Sequence, residues 1–344
     1  MEARHMKEAV NQQEKSRDYL FDNMRGVLIF LVVFGHMLTS MKDQYSAIKI
    51  IYVFIYFFHM PALTFISGYF SKNPDKARTQ AFKTILLPYL ILNLSTYLFK
   101  MLILKEQYFG FRFFRPTWGL WYLFALFLWK FFLKDLISIK YVLPFSFVFG
   151  VLSGFSKEFA SYMALGRTFA FLPFFLLGYY CSKEHIEKIR RIPKIISLLI
   201  FIVVGICSVC IIKYDIFQVK NLFLKLPYPE EADVEHMFYR IFIYVIALLM
   251  IGALINITSD NKSFISKIGL NTMTVYIFHL FIVPILEKFE ILNDKPYLYM
   301  AYAVVISIII TYLFSRPKVS KYYNKVINGV IGLIITKEKQ IKKT

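Results

Sequence analysis

The sequence predicts an all-α fold: a polytopic integral membrane bundle of about ten transmembrane helices. Two observations support this prediction. The 344-residue chain is 58% hydrophobic and 19% aromatic, with a mean hydropathy of +0.54, whereas soluble domains are roughly half apolar. Its apolar residues also form long runs between charges, prolines and turn residues, and most runs can cross a hydrocarbon core of about 30 Å.

The runs define ten predicted spans, numbered one to ten along the chain. Span five is the shortest and contains Pro144, Gly150 and Gly154, so we expect it to be tilted, broken or only partly inserted. The spans cover approximately residues 24–41, 47–70, 82–104, 117–134, 141–155, 162–180, 194–213, 237–258, 270–287 and 297–315.

The distribution of basic residues predicts the orientation of these spans. If the N-terminus is cytoplasmic, most of the 41 Lys and Arg residues fall in the inside segments. The acidic cluster at residues 230–235 then falls outside. Because cytoplasmic loops carry an excess of Lys and Arg, we expect both termini to be cytoplasmic.

Three regions follow from this topology. Residues 1–23 form a cytoplasmic N-terminal segment, residues 24–315 the transmembrane domain, and residues 316–344 a basic cytoplasmic tail. The tail alternates apolar residues with lysines, which predicts an amphipathic helix on an anionic lipid leaflet. A tail without fixed structure is the alternative.

The net charge of +19 does not indicate a nucleic-acid partner. The basic residues are spread over several loops and the tail instead of forming one stripe, so membrane lipids are the expected partners. Cys207 and Cys210 have a C-x-x-C spacing inside span seven, where two buried, inert thiols are expected rather than a metal or redox pair. The sequence predicts no metal site and no bound cofactor.

Three of the six histidines, His36, His59 and His279, lie inside apolar spans. Ionisable groups at membrane depth are costly and usually serve function. Arg25 precedes His36 by a spacing that returns to nearly the same helix face about 16 Å away, and Asp22 can pair with Arg25. Arg25 alone would suit a membrane anchor, but with His36 on the same face we favour a functional pair.

The residues around this pair resemble a known family. The segment RDYLFDNMRGVLIFLVVFGHML is similar to the first transmembrane helix of the acyltransferase 3 family, whose signature is Arg, ten residues, then His; here these are Arg25 and His36. The resemblance continues in order through FFHMPALTFISGYF (57–70), LLPYL (86–90), WGLWYLFALF (118–127), RTFAFLPFFLLGYY (167–180) and IGLNTMTVYIFHL (268–280). The FHMP and FFLLGYY forms look most like the branch named for fucose 4-O-acetylases.

The resemblance implies an O-acyltransferase of the bacterial plasma membrane. Such proteins move an acyl group, usually acetyl, from cytoplasmic acyl-CoA to a hydroxyl of an extracytoplasmic surface or secreted polysaccharide. Acyl-CoA would then be the donor, a glycan the acceptor, and polysaccharide synthesis or export machinery a further partner. His36 is the expected catalytic residue, either as the base for the sugar hydroxyl or as a transient acyl carrier.

Other site residues follow from the same resemblance. Arg25 and His59 are further catalytic candidates, although a hydrogen bond between helices would equally explain His59, near Pro61. For the acyl-CoA phosphates the inside segments offer Arg25, Lys72, Arg78 and Lys83, which topology alone would also place there. The family usually has an Arg-x-x-Arg pair before the Pro-Tyr of span three, and this chain has only Lys83.

The acceptor would be met by residues near the outer face. Arg115, Trp118 and Trp121 can grip acidic groups or stack on sugar rings, although aromatic belts at membrane interfaces use the same residue types. Arg167 at the start of span six can polarise a carbonyl or hold an anion. Tyr276 and His279 share a helix face in span nine and are expected to line the site, with a structural helix contact as the alternative.

Two other functions fit parts of the pattern. A transporter or flippase of a saccharide or lipid-linked saccharide would also need many helices and polar groups at the midplane. Such carriers usually show repeated broken helices in both halves, and the Arg25 to His36 pattern has no counterpart in spans five or six. A non-catalytic partner in a polysaccharide complex would not need that spacing either.

Overall fold

The computed structural model describes residues 19–106, 116–161, 163–231, 233–292 and 294–334. This part of the chain is helical and has no strand. Its first half contains the helices α1 (Leu20–Met37), α2 (Ser46–Tyr56), α3 (His59–Tyr69), α4 (Pro74–Ala81), α5 (Leu87–Leu102), α6 (Trp121–Leu136), α7 (Val142–Leu152) and α8 (Lys157–Ser161).

The second half is helical in the same way. It contains α9 (Leu165–Tyr180), α10 (Lys183–Arg190), α11 (Lys194–Lys213), α12 (Asp233–Ile257), α13 (Phe264–Gly269), α14 (Thr272–Glu287), α15 (Pro296–Phe314) and α16 (Pro317–Ile334). Short 3-10 turns cover Trp118–Leu120, Ser153–Phe155 and Val219–Phe223, and a π-helical turn covers Phe82–Leu86.

Helical segments lie at all ten predicted spans, and six of them are long and apolar enough to cross a membrane: Leu20–Met37, Ser46–Tyr69, Pro74–Leu102, Lys194–Lys213, Asp233–Ile257 and Pro296–Phe314. The helices at the other four predicted spans have 16 residues or fewer. The all-helical membrane fold is confirmed, while the count of ten spans and the side of the termini stay predictions.

Prolines explain two irregular places in the long segments. Pro61 has no N–H to donate to the carbonyl of Phe57, and residues 57–58 form a turn, in which the Phe58 N–H donates to the carbonyl of Ile55, before α3 begins at His59. Pro88 cannot donate to the carbonyl of Thr84, and the turn just before it, Phe82–Leu86, is π-helical. Span two is therefore broken in the middle, and span three is the end of a longer segment that begins at Pro74.

Helix α1 is central in the bundle and α11 is peripheral. In α1, 72% of the residues are buried, and the helix packs against α3, α13, α14 and α15. In α11 the most apolar window has a mean hydropathy of 3.2 but is only 22% buried. An apolar helix with an unburied surface is expected to face lipid. The residues of α1 are therefore held from several sides.

Helices α3 and α9 cross in close backbone contact at two glycines. A Cβ atom on Gly68 would collide with the carbonyl oxygen of Phe175, and one on Gly178 would collide with that of Phe65. Small residues at a helix crossing allow this close approach in membranes. The crossing fixes α9, which carries Arg167, against α3, which carries His59.

Arg240 in α12 holds the loop that follows α11. Its side chain is 5% exposed and donates to the carbonyl of Gly150 at 3.0 Å, to Ser153 Oγ at 3.1 Å and to the carbonyl of Leu226 at 3.3 Å. The guanidinium also lies over the ring of Tyr228, 4.8 Å from its centroid. One buried cation thus ties α12 to α7 and to residues 226–228.

We expect Arg240→Met to lower the free energy of unfolding by roughly 1–3 kcal/mol, because Ser153 Oγ and the carbonyl of Leu226 lose this donor. Thermal unfolding of the purified protein in detergent measures this loss. Lys220→Met, at an exposed position in the same loop region, is the control and should unfold like the unchanged protein. Equal stability of the two variants would contradict the assignment.

The predicted tail is helical as far as it is described. Helix α16 covers Pro317–Ile334, with exposed Lys321 and Lys325 beside exposed Tyr322 and Val326. Residues 335–344 lie outside the described part of the chain. The helix agrees with the amphipathic pattern, and its position on a lipid leaflet stays a prediction.

Candidate active site

A cavity of about 1170 Å³ lies among the helices and brings several predicted site residues together. It reaches from the imidazoles of the bundle to the loops after α5, α7, α11 and α14, which the sequence assigns to the outside. The histidine, aromatic and arginine side chains that line the cavity include His36, Tyr52, Tyr56, His59, Trp121, Arg167, Tyr276 and His279.

His36 and His279 face each other in this cavity. His36 belongs to the last turn of α1, and α14 packs against α1 and carries His279. The ring centroids of the two imidazoles are 5.0 Å apart with an angle of 50° between the planes. Tyr276, one turn before His279, has its ring centroid 6.0 Å from that imidazole. Two residues far apart in sequence therefore form one site.

Backbone carbonyls fix the tautomers of two of the three histidines. His59 Nδ1 lies 2.8 Å from the carbonyl oxygen of Ile55, and His279 Nδ1 lies 3.1 Å from that of Val275. A carbonyl can only accept, so each Nδ1 carries the proton and each neutral ring keeps a lone pair at Nε2. His279 Nε2 is buried and has no hydrogen-bond partner among the described residues.

Arg167 approaches the same cavity from the start of α9. Its guanidinium lies 4.8 Å from the centroid of the Trp121 ring, a stacking that holds the cation in place. Arg167 Nε is buried and lacks a hydrogen-bond partner within the described part of the chain. The side chain thus has a donor left for a group that enters the cavity.

The aromatic residues around the histidines are held by hydrogen bonds and by stacking. The Tyr276 hydroxyl donates to the carbonyl of Gly119. The rings of Tyr52 and Tyr56 are stacked with centroids 3.9 Å apart, and the Tyr56 ring meets His59 edge-on at 4.6 Å. The sequence analysis missed Tyr52 and Tyr56, although their i, i+4 spacing ahead of His59 was a usable signal.

The mouth of the cavity carries charges of both signs. Its lining includes Glu106, Lys157, Lys225, Glu287 and Lys288. Lys288 donates to the carbonyl of Leu104 at 2.6 Å. Lys157 donates to Glu230 in an ion pair, which raises the pKa of the lysine ammonium. The sequence analysis missed Glu287, although its spacing from His279 is close to two helical turns and places both on one face of α14.

Arg25 lies outside this cavity, towards the other end of α1. The predicted partner is present, with Arg25 Nη1 3.6 Å from Asp22 Oδ1. The guanidinium also lies 4.3 Å from the centroid of the Phe70 ring, and the side chain is 27% exposed. Arg25 and His36 therefore occupy opposite ends of one helix, as their spacing predicts.

The other predicted cytoplasmic cations have different surroundings. Lys72 donates to the carbonyls of Gly178, at 3.2 Å, and Cys181, at 2.7 Å, and to that of Tyr179, at the end of α9. Arg78 donates to the carbonyl of Phe131 at 2.8 Å and pairs with Asp135. Lys83 is exposed. Lys72 and Arg78 thus have structural roles that account for them without a ligand.

Two predicted acceptor residues cannot be placed fully. Arg115 lies outside the described residues, and of Trp118 only the backbone is described, at the start of the turn Trp118–Leu120. The structure brings Trp121, Arg167, Tyr276 and His279 together with His36 and His59.

Comparison with known proteins gives one match. A family model described as an acyltransferase domain matches residues 18–316. No curated protein and no solved structure matches the chain.

Proposed function

The chain belongs to the acyltransferase 3 family and is a multi-pass membrane acyltransferase, and from this premise we propose its donor, its acceptor and its catalytic residues. The donor is cytoplasmic acetyl-CoA or another small acyl-CoA. The acceptor is a hydroxyl of a cell-surface or secreted polysaccharide outside a bacterial plasma membrane. His36 is the catalytic residue.

The observation that carries this proposal is the convergence of His36, His279 and Arg167 on one cavity. Acyl transfer to a hydroxyl needs a group that takes the hydroxyl proton while the oxygen bonds to the acyl carbon. The bond from that carbon to sulfur breaks, and CoA leaves as the thiolate. A neutral imidazole can accept the proton, or it can first attack the thioester itself and pass the acyl group on.

Arg167 is the proposed electrostatic group of the reaction. Negative charge develops on the carbonyl oxygen of the acyl group when the nucleophile attacks, and a positioned donor stabilises that charge. The Nε–H of Arg167 has no hydrogen-bond partner among the described residues. It suits this role because the Trp121 ring holds the guanidinium in place.

We expect Arg167→Gln to lower kcat by roughly 10²–10³-fold, the usual cost of removing such a donor. Acyl transfer by membranes that contain equal amounts of each variant measures the change. Arg191→Gln, at a surface position just after α10, is the control and should leave kcat unchanged. An Arg167→Gln enzyme as fast as the control would exclude the role.

The acyl-CoA phosphates would meet the cytoplasmic end of α1. Arg25 is partly exposed there, held by Asp22 and by Phe70, and Lys83 is exposed before α5. Lys72 and Arg78 are engaged with protein groups, so the exposed Lys83 is better placed for phosphate than they are, and Arg25 lies on the helix that leads to His36. The acyl arm would then extend along α1 towards His36.

The glycan would enter from the outer mouth, where lysines and carboxylates can bind sugar hydroxyls and Trp121 offers an aromatic ring. Lipids surround the bundle, and polysaccharide synthesis or export machinery would supply the acceptor. No bound cofactor is needed, because acyl-CoA is a substrate.

Membranes from cells that express the protein test the proposal. They receive acetyl-CoA labelled in the acetyl group and the surface glycan of the producing cell, from which mild alkali has removed esters. We expect label in the glycan that alkali releases again. Absence of such label with every small acyl-CoA, together with uptake or export of the glycan, would support a transporter instead.

A further inference from the structure

The second imidazole of the cavity has a buried nitrogen that no described group satisfies. His279 is 1% exposed, and its Nε2 has no hydrogen-bond partner among the residues that the structure describes. A buried acceptor without a partner is unfavourable. Such a group in a native structure calls for an explanation.

The His36 imidazole lies close enough to His279 to be that partner. The Nδ1–H is occupied by the carbonyl of Val275, 3.1 Å away, so Nε2 can only accept. The hydroxyl proton of Tyr276, one turn earlier, is used by the carbonyl of Gly119. The ring centroids of His36 and His279 are 5.0 Å apart. This separation permits an N–H···N hydrogen bond between the edges of the two rings after a small rotation of the His36 ring.

We propose that His279 is a positioning residue that orients His36 through a hydrogen bond from a His36 ring N–H to His279 Nε2. This inference rests on the proposed catalytic role of His36. The Val275 carbonyl holds His279, His279 holds His36, and the second nitrogen of His36 presents its lone pair to the cavity. A base that is itself oriented by a third group is the common arrangement around activated nucleophiles.

The proton moves differently in the two roles of His36, and His279 Nε2 takes part in both. If His36 takes the proton of the acceptor hydroxyl, its ring becomes an imidazolium whose other N–H is held by His279 Nε2. If His36 attacks the thioester, CoA leaves as the thiolate, the acylated ring gives its other proton to His279 Nε2, and the Val275 carbonyl stabilises the imidazolium so formed. When the acceptor hydroxyl then takes the acyl group, the freed nitrogen of His36 takes the hydroxyl proton, and His279 releases its proton to solvent. In both cases His279 touches neither the acyl carbon nor the acceptor.

Two substitutions separate positioning from a structural contact. Asparagine places its amide near the position of Nδ1, so His279→Asn can keep the donor to Val275 but lacks an acceptor for His36. Glutamine reaches the position of Nε2, so His279→Gln keeps an acceptor there. A structural histidine that only binds the backbone of α14 would tolerate asparagine better than glutamine.

We expect His279→Asn to lower kcat by about 100-fold or more, with the KM for acetyl-CoA nearly unchanged. His279→Gln should stay within about tenfold of the unchanged enzyme. The assay uses the full chain in membranes, with labelled acetyl-CoA and alkali-treated glycan. An active His279→Asn enzyme, or equal losses in both variants, would overturn the proposal.

A second measurement does not depend on the acceptor and so separates this inference from the proposed function. Diethyl pyrocarbonate acylates a neutral imidazole nitrogen, and mass spectrometry of the peptide with His36 gives the rate of that reaction. We expect a slower reaction of His36 in His279→Asn than in His279→Gln or the unchanged protein. Equal rates in all three proteins would overturn the inference, whatever the acceptor is.

Discussion

Replacing His36 by alanine is expected to reduce acyl transfer by roughly 10²–10⁴-fold, the usual contribution of a positioned acid–base group. The imidazole lines the cavity together with Arg167 and His279, and alanine cannot take a proton or carry an acyl group.

The loss must come from chemistry and not from unfolding. His36 has no hydrogen bond within the described residues that would hold the bundle together, so we expect the variant to reach the membrane in normal amounts. His185→Ala is the matched control, since His185 is exposed at the start of α10. If His36→Ala kept more than about a tenth of the normal rate of acyl transfer, His36 would not be the catalytic residue.

A large loss of stability is expected from alanine at the crossing of α3 and α9. At Gly68 or Gly178 a new Cβ meets a backbone carbonyl of the other helix, and the two helices must separate. Forced separation in a packed core costs about 1–3 kcal/mol. Thermal unfolding in detergent should show a clear decrease for Gly68→Ala and Gly178→Ala.

The chain provides its own control for this experiment. At Gly205 in α11 and Gly252 in α12, a Cβ atom would have no neighbouring atom within 4 Å among the described residues, so Gly205→Ala and Gly252→Ala should not lower stability. They can raise it slightly, because alanine is the better helix former. A result in which all four variants behave alike would contradict the close crossing.

The positions of the helices could be predicted from the sequence because a long apolar run between charges is what a helix in lipid requires. The same runs do not locate the irregular turns where proline intervenes. The break at residues 57–58 before Pro61 and the π-helical turn before Pro88 depend on how the neighbouring backbone compensates for the missing N–H. A periodicity of apolar residues does not contain that information.

The site could be predicted only within single helices. The spacing of Arg25 and His36 on α1 and that of Tyr276 and His279 on α14 are local facts that helix geometry yields. The pairing of His36 with His279 depends on which helices are neighbours, and no local pattern specifies this. The sequence therefore names the groups but not the contact between the two imidazoles.

The predicted cytoplasmic cations also show what the sequence leaves undetermined. The sequence places Lys72 and Arg78 beside a predicted acyl-CoA site because both follow span two. In the fold, Lys72 satisfies carbonyls at the end of α9, and Arg78 pairs with Asp135 in the last turn of α6. Charge alone does not distinguish a ligand contact from a helix cap, since both need a cation at the same depth.

The most direct test of the account is the O-acetyl content of the surface glycan in the producing cell, measured by NMR before and after mild alkali. Three strains are compared: one that lacks the protein, one restored with the unchanged chain, and one restored with His36→Ala. The account predicts acetyl esters only in the strain with the unchanged chain, with both proteins present in the membrane. Unchanged acetylation in the strain that lacks the protein, or in the His36→Ala strain, would contradict it.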